Sequence, residues 1–103
     1  MVKVSILYPA RPGSRFDVDY YLNTHMPMSA RLLGSRIKAI TAEIGRPGPD
    51  GAPAPFAAIA TFTSETVEDF VRAFMPVASE LQGDIPKYTD IEPVIQFSDI
   101  RMG

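Results

Sequence analysis

In FDVDYYLNTHMPMSARLLG, residues 16–34, the side chains of Val18, Tyr21, Leu22, His25, Met28 and Leu32 recur at spacings of three and four, the period of one helix stripe. Just upstream, VKVSILYP at residues 2–9 alternates with a period of two, Val2, Val4, Ile6 and Tyr8 falling on one face and Lys3, Ser5 and Leu7 on the other. The change of period marks a strand followed by a helix, with Pro9 and ArgProGly at 11–13 as the break. Pro27 has no amide to give to the carbonyl of Asn23, and its ring crowds that carbonyl. The helix is therefore expected to kink or loosen over residues 23–27, beside His25, and to stop at Gly34.

Working outward, IKAITAEI at 37–44 reads as a second strand and is followed by GRPGPDGAPAP, a surface loop. A third strand spans 56–63, and its alanines at 57, 58 and 60 leave room for a pocket. Thr63 or Ser64 can cap a second helix that carries Glu65, Glu68 and Asp69 near its positive end. Val67, Phe70, Val71, Phe74, Val77, Ala78 and Leu81 give that helix an apolar stripe, kinked at Pro76. Residues 82–93, QGDIPKYTDIEP, read as a loop covering an opening, and 94–101 as the last strand. The order strand, helix, strand, strand, helix, strand predicts an α+β fold of the ferredoxin-like type. It is an antiparallel four-stranded sheet with both helices on one face, forming a single domain over residues 1–103.

Both faces of this sheet carry apolar residues, since Leu7, Ile59, Val94 and Ile100 point away from the face holding Val4, Ile6, Phe56, Phe62, Ile95 and Phe97. A homodimer built sheet to sheet is the simplest cover for the second face. The formal net charge is −2, with both signs mixed along the chain, so there is no basic stripe for nucleic acid. Zero cysteines and one histidine exclude disulfides, thiolate zinc sites and a site of two imidazoles and a carboxylate within one chain. No cofactor is expected. The apolar run at the start is too short for a signal peptide or a membrane span, which predicts a cytoplasmic protein without membrane contact.

Residues 16–27 after a strand ending in LeuTyrPro, and GDIPKYTDIEPVIQ late in the chain, together resemble the EthD family of small dimeric α+β barrel proteins. The resemblance spans nearly the whole chain. It implies a ferredoxin-like protomer, a dimer whose sheets form a barrel, and a pocket between each sheet and its helices. Members are associated with ether-degradation gene clusters and are often labelled oxidoreductase. Related barrels isomerise lactones, cyclise polyketides and oxygenate without a cofactor. The family's helix histidine is carried over onto His25 and the preceding aromatic pair onto Tyr20 and Tyr21.

His25 is the one side chain whose ordinary pKa lets it take and give a proton near neutral pH. The leading expectation is a cofactor-free enzyme in which His25 exchanges a proton with a small cyclic, phenolic or lactone substrate. Tyr21, one turn before it, can bond the same ligand, whereas Tyr20 points about 100° away and packs on the loop. Tyr8 reaches the cleft from its floor, Tyr88 and Asp90 from the covering loop, and Met28 supplies a flexible apolar lining. Asp90 or Asp84 is the candidate to orient the imidazole. Against this stands a plainer reading, in which His25 is a core histidine bonded to a carbonyl freed by Pro27, the tyrosines are core, and the aspartates cap turns. Two further alternatives are a non-catalytic dimer holding haem or a hydrophobic ligand, and an accessory protein to a partner enzyme.

Overall fold

The computed structural model describes all 103 residues. Four antiparallel strands form one sheet in the order β2-β3-β1-β4, with β1 Val2–Pro9, β2 Ala39–Ile44, β3 Phe56–Ser64 and β4 Val94–Asp99. β1 and β3 are central, and their alternation sends Val4, Tyr8, Ala58, Ala60 and Phe62 into the core. Both helical segments cover this face, as the ferredoxin-like order requires. No helix is long and apolar enough to cross a membrane.

The first helical segment is not one uniform helix. Asp17 caps α1 (Val18–Tyr20) by accepting from the Tyr20 amide at 3.1 Å. A π-helical turn, Tyr21–His25, follows, and α2 (Met26–Leu33) completes the segment. The loosening expected from Pro27 thus takes the form of a wide turn in which the Met26 amide reaches back to the Tyr21 carbonyl. Gly34 ends the helix with a φ of 76° and a ψ of −161°, a backbone region open essentially to glycine alone.

The second segment begins later and runs further than its sequence suggests. β3 continues to Ser64, so the cap of α3 (Val67–Phe74) is Thr66, whose hydroxyl accepts from the Asp69 amide at 3.1 Å. Pro76 sits in a 3-10 turn, Met75–Val77, leading into α4 (Ala78–Asp84), and a further 3-10 turn covers Ile85–Lys87. Residues 82–87, expected as loop, are therefore helical. Pro86 does not interrupt them because it lies in the first turn, where an amide has no helical partner to lose. The apolar stripe is also narrower than expected. Phe70, Ala73 and Leu81 are buried, but Val67 and Val71 are exposed.

The open sheet face is partly apolar. From the register, one row runs Glu43, Ile59, Leu7, Val94, and the next runs Thr41, Thr61, Ser5, Gln96. Thr41 and Thr61 share a hydrogen bond across the strands. Ile100 lies beyond β4, its amide bonded to the Met1 carbonyl at 3.0 Å.

Candidate functional site

A cavity of about 290 Å³ lies between the sheet and the helices. Its closed end is walled by the buried Tyr8, Tyr21 and Ala60, and its mouth by the exposed Val71, Met75, Ile95 and Phe97. The side chain at 60 stops at one methyl, which leaves the volume that a larger residue on β3 would fill. His25 is part of the wall and is itself buried.

The π-helical turn places Tyr21 and His25 as near-parallel rings, 13° apart in plane and 6.0 Å between centroids. Ser29, one turn further on, spends its hydroxyl on the His25 carbonyl at 2.9 Å. His25 Nδ1 meets Asp84 Oδ2 at 2.9 Å, with both residues buried. A carboxylate can only accept, so Nδ1 carries the proton of the neutral ring and Nε2 is left as its free lone pair. Tyr20 donates its hydroxyl to Asp84 Oδ1 at 2.8 Å, and Lys87 Nζ stands 3.7 Å from the same oxygen.

Burial works to raise the Asp84 pKa. Hydrogen bonds from His25 and Tyr20, together with the attraction of His25 and Lys87, outweigh it and hold the carboxyl below the ordinary carboxylate value. The lowered value means that the folded state releases this proton more readily than the unfolded state. Asp84's contribution is therefore fully present above the unfolded carboxylate pKa and is lost as pH falls through the lower folded one. Urea midpoints measured from pH 5 down to pH 2 are expected to decline, and less steeply in Asp84→Asn. Equal slopes in the two proteins would remove this carboxylate from the acid response.

Behind the imidazole, Tyr88 is fully buried, its ring 4.6 Å from that of His25 and its hydroxyl 2.6 Å from the Tyr8 hydroxyl. Phe16, Tyr20 and Tyr21 complete an aromatic cluster around it. Burial, followed by repulsion from Tyr8, pushes the pKa values of Tyr21 and Tyr88 well above that of a free phenol, and burial raises Tyr8 too. All three are hydroxyls rather than phenolates at neutral pH. The Tyr21 oxygen is the one buried side-chain polar atom without a hydrogen-bond partner.

The residues singled out from sequence fall into two groups. Tyr8, Tyr21 and His25 share the cavity wall, and Tyr88 backs His25 from behind it. Met28 is half-buried outside the cavity, and the methionines that line it are Met26 and Met75. Asp90 is exposed and accepts from the Arg15 amide at 2.8 Å, pinning the chain ahead of α1 to the segment after α4. Of the two aspartates considered, the structure puts Asp84 against the imidazole. Tyr20 packs on the segment read as the covering loop, its ring against Tyr88 and its hydroxyl on Asp84, a partner that helix spacing alone does not reveal. A signal for Asp84 was present. It is an acid on the apolar stripe of the second helix, after Val77 and Leu81, where a carboxylate is stable only opposite a donor.

No cluster of three or more histidine, cysteine or carboxylate side chains is placed to hold a metal ion. Haem would need cations to meet its propionates, and no lysine or arginine lines the cavity, so the residues present do not suit it.

With this geometry in hand, comparison with known proteins places the chain. The EthD domain matches residues 14–92, which include π-turn, His25 and Asp84. The crystal structure of an EthD-like protein from Ralstonia eutropha is 41% identical and superposes with a TM-score of 0.92, covering 98% of this chain and 92% of that one. An ethyl tert-butyl ether degradation (EthD) family protein from Bacillus halodurans is 16% identical with a TM-score of 0.68, covering 96% of this chain and 97% of that one. A protein from Arabidopsis thaliana at 14% identity also has a TM-score of 0.68, over 96% of this chain and 94% of that one. These last two show the fold alone. No curated protein matches the sequence. The match over most of the chain and the identity to the Ralstonia protein settle the kinship: the chain belongs to the EthD domain family.

Proposed function

We propose that this protein is a cofactor-free enzyme in which His25 moves a proton on a small, mostly apolar cyclic, phenolic or lactone substrate. The observation that supports this reading best is His25 on the wall of a mostly apolar cavity, held from behind by the buried Asp84 at an Nδ1 to Oδ2 distance of 2.9 Å. Asp84 fixes the tautomer that leaves Nε2 as a base, and it stabilises the imidazolium formed when Nε2 takes a proton. Returning that proton to a second atom of the same molecule completes an isomerisation in which nothing is oxidised or reduced. The Tyr8 and Tyr88 hydroxyls bond each other, whereas the Tyr21 hydroxyl has no partner, keeps its proton and suits hydrogen bonding to a developing oxyanion.

A second copy of the chain is the partner assigned to the open sheet face. The row of Ile59, Leu7 and Val94 supports this, with Val94 on the edge strand β4 53% exposed. Light scattering at micromolar concentration is expected to give the mass of a dimer, and a stable monomer would remove the assembly.

The test of the catalytic reading is a panel of hydroxyaromatics and lactones screened against wild type and His25→Ala by thermal shift and product analysis. His25→Ala is expected to keep the assembly and lose turnover. Unchanged kinetics in that variant would remove His25 from the chemistry. Binding without turnover in wild type would leave a ligand carrier.

A further inference from the structure

The polar groups of the cavity are few, and most are already committed. His25 Nδ1 is held by Asp84, the Ser29 hydroxyl by the His25 carbonyl, and the Tyr8 hydroxyl by Tyr88. Two remain at the closed end, the orphaned Tyr21 hydroxyl and His25 Nε2. No aspartate, glutamate, lysine or arginine lines the cavity, and Gln82, the remaining polar residue, is exposed. A buried hydroxyl without a partner is costly, and a native protein seldom keeps one unless something else satisfies it.

A molecule that complements this wall carries an oxygen to accept from Tyr21 and, next to it, a hydrogen to give to Nε2. A carboxylate is a poor candidate, because leaving water for this pocket would cost it far more than one hydroxyl returns. Size narrows the class as well. An apolar cavity of about 150 Å³ takes benzene, so 290 Å³ takes a molecule of about ten to twelve non-hydrogen atoms.

We infer that the cavity takes a neutral, enolisable carbonyl compound of that size, its oxygen accepting from the Tyr21 hydroxyl and its adjacent C–H directed at His25 Nε2. This assignment rests on the proton-transfer reading of His25. The rings of Tyr21 and His25 lie near-parallel in the cavity wall, their centroids 6.0 Å apart. In the step, Nε2 takes the α-proton, the C–H electron pair becomes the C=C bond, and the carbonyl π pair moves onto the oxygen, where the Tyr21 hydroxyl holds it. The imidazolium then returns the proton to carbon or oxygen of the same molecule, so atoms and electrons balance without a co-reactant. The apolar remainder lies toward Phe70 and Phe97 at the mouth.

Propiophenone, propylbenzene and hydrocinnamate test this as a matched set of ketone, hydrocarbon and anion. Wild-type protein is expected to bind the ketone roughly five- to tenfold more tightly than the hydrocarbon, the worth of one net hydrogen bond, and not to bind the anion at neutral pH. In heavy water, NMR should show deuterium entering the ketone α-position. Tyr21→Phe, which keeps the ring and removes only the oxygen, is expected to melt no lower than wild type without ligand and to bind propylbenzene unchanged. It should lose the preference for the ketone and slow the exchange at least about tenfold. His25→Ala should abolish exchange. A Tyr21→Phe variant that keeps the ketone preference, or that melts lower on its own because the hydroxyl has a partner in solution, would overturn the inference. So would hydrocinnamate binding as tightly as the ketone, or no ketone binding at all. Exchange that survives in His25→Ala would overturn the proton-transfer reading itself, whereas exchange at the wild-type rate in Tyr21→Phe, with His25→Ala inactive, would overturn only the carbonyl assignment.

Discussion

Tyr88→Ala is expected to destabilise the protein by about 3–5 kcal/mol, the usual loss when a fully buried aromatic ring is cut back to a methyl. Tyr88 is 0% exposed and touches the rings of Tyr8, Phe16, Tyr20, Tyr21 and His25, so no single neighbour can move to fill the hole. The truncation also leaves the Tyr8 hydroxyl without the partner it has at 2.6 Å, which places the loss toward the top of that range. For a chain of this size the melting temperature should fall by about 15–30 °C. Tyr88→Phe separates the two contributions, because it keeps the ring and removes the hydroxyl, and a cost of about 1 kcal/mol is expected there. Urea and thermal unfolding followed by circular dichroism measure both. A loss under about 1 kcal/mol in the alanine variant would show that the cluster repacks, and that it is not what fixes His25 in place.

The second large effect concerns Asp84→Asn, which changes the size of the side chain very little. The asparagine has one acceptor and one donor where the carboxylate has two acceptors. If its oxygen keeps the hydroxyl of Tyr20, its amide faces His25 Nδ1 and forces that nitrogen to accept. The ring proton then moves to Nε2, the position that has to serve as the base. A substrate turned over through His25 should lose about 10³- to 10⁴-fold in kcat, the size of effect known for a triad aspartate that is made into asparagine. KM should change little, because Asp84 is not in the cavity wall. Nitrogen chemical shifts of the imidazole report the tautomer directly, so a change of tautomer with kcat intact would separate orientation from catalysis. A kcat within tenfold of wild type would show that Asp84 holds the helices together and does nothing to the base.

Much of the architecture was legible because it rests on periodicity. The switch from alternation in residues 2–9 to spacings of three and four after Phe16 identified the first strand and helix, and their repetition after Phe56 gave the order of the ferredoxin-like unit. Boundaries that depend on capping and proline were less legible. Thr63, Ser64 and Thr66 all have a hydroxyl suited to a helix start, and only the length of β3 decides among them. Residues 85–87 look like a turn because Ile-Pro-Lys follows a glycine and an aspartate, yet a proline in the first turn of a 3-10 segment costs nothing. The open sheet face is partly apolar as its alternation indicates, but how its residues are grouped was not legible. Its apolar residues are real, but cross-strand register gathers them into one row beside a row of threonine, serine and glutamine.

The candidate site was legible to the extent that it is local. His25 and Tyr21 stand out from one stretch of helix, and the small residue at 60 signals space above the sheet. The partners of His25 come from residues 59 and 63 positions away, Asp84 and Tyr88, and a single sequence holds no direct record of such pairings. Charge on an apolar stripe was the one trace of Asp84. Asp90 looked equivalent to it in composition, but it is bound up in holding the chain at Arg15.

The π-helical turn at Tyr21–His25 amounts to one residue more than a regular helix would need. Each residue of an α-helix advances the chain by about 100°, so a deletion within this turn would restore ideal hydrogen bonding while turning everything before it by that angle relative to α2. Tyr20 would leave Asp84, and the aromatic pair would lose its phase against the imidazole. The same side chains placed on an unbroken helix could not bring Tyr20, Tyr21 and His25 to their present partners at once. A relative lacking that extra residue should therefore carry the shared fold with a differently aimed pocket, and residue-by-residue transfer of roles across such a gap would mislead.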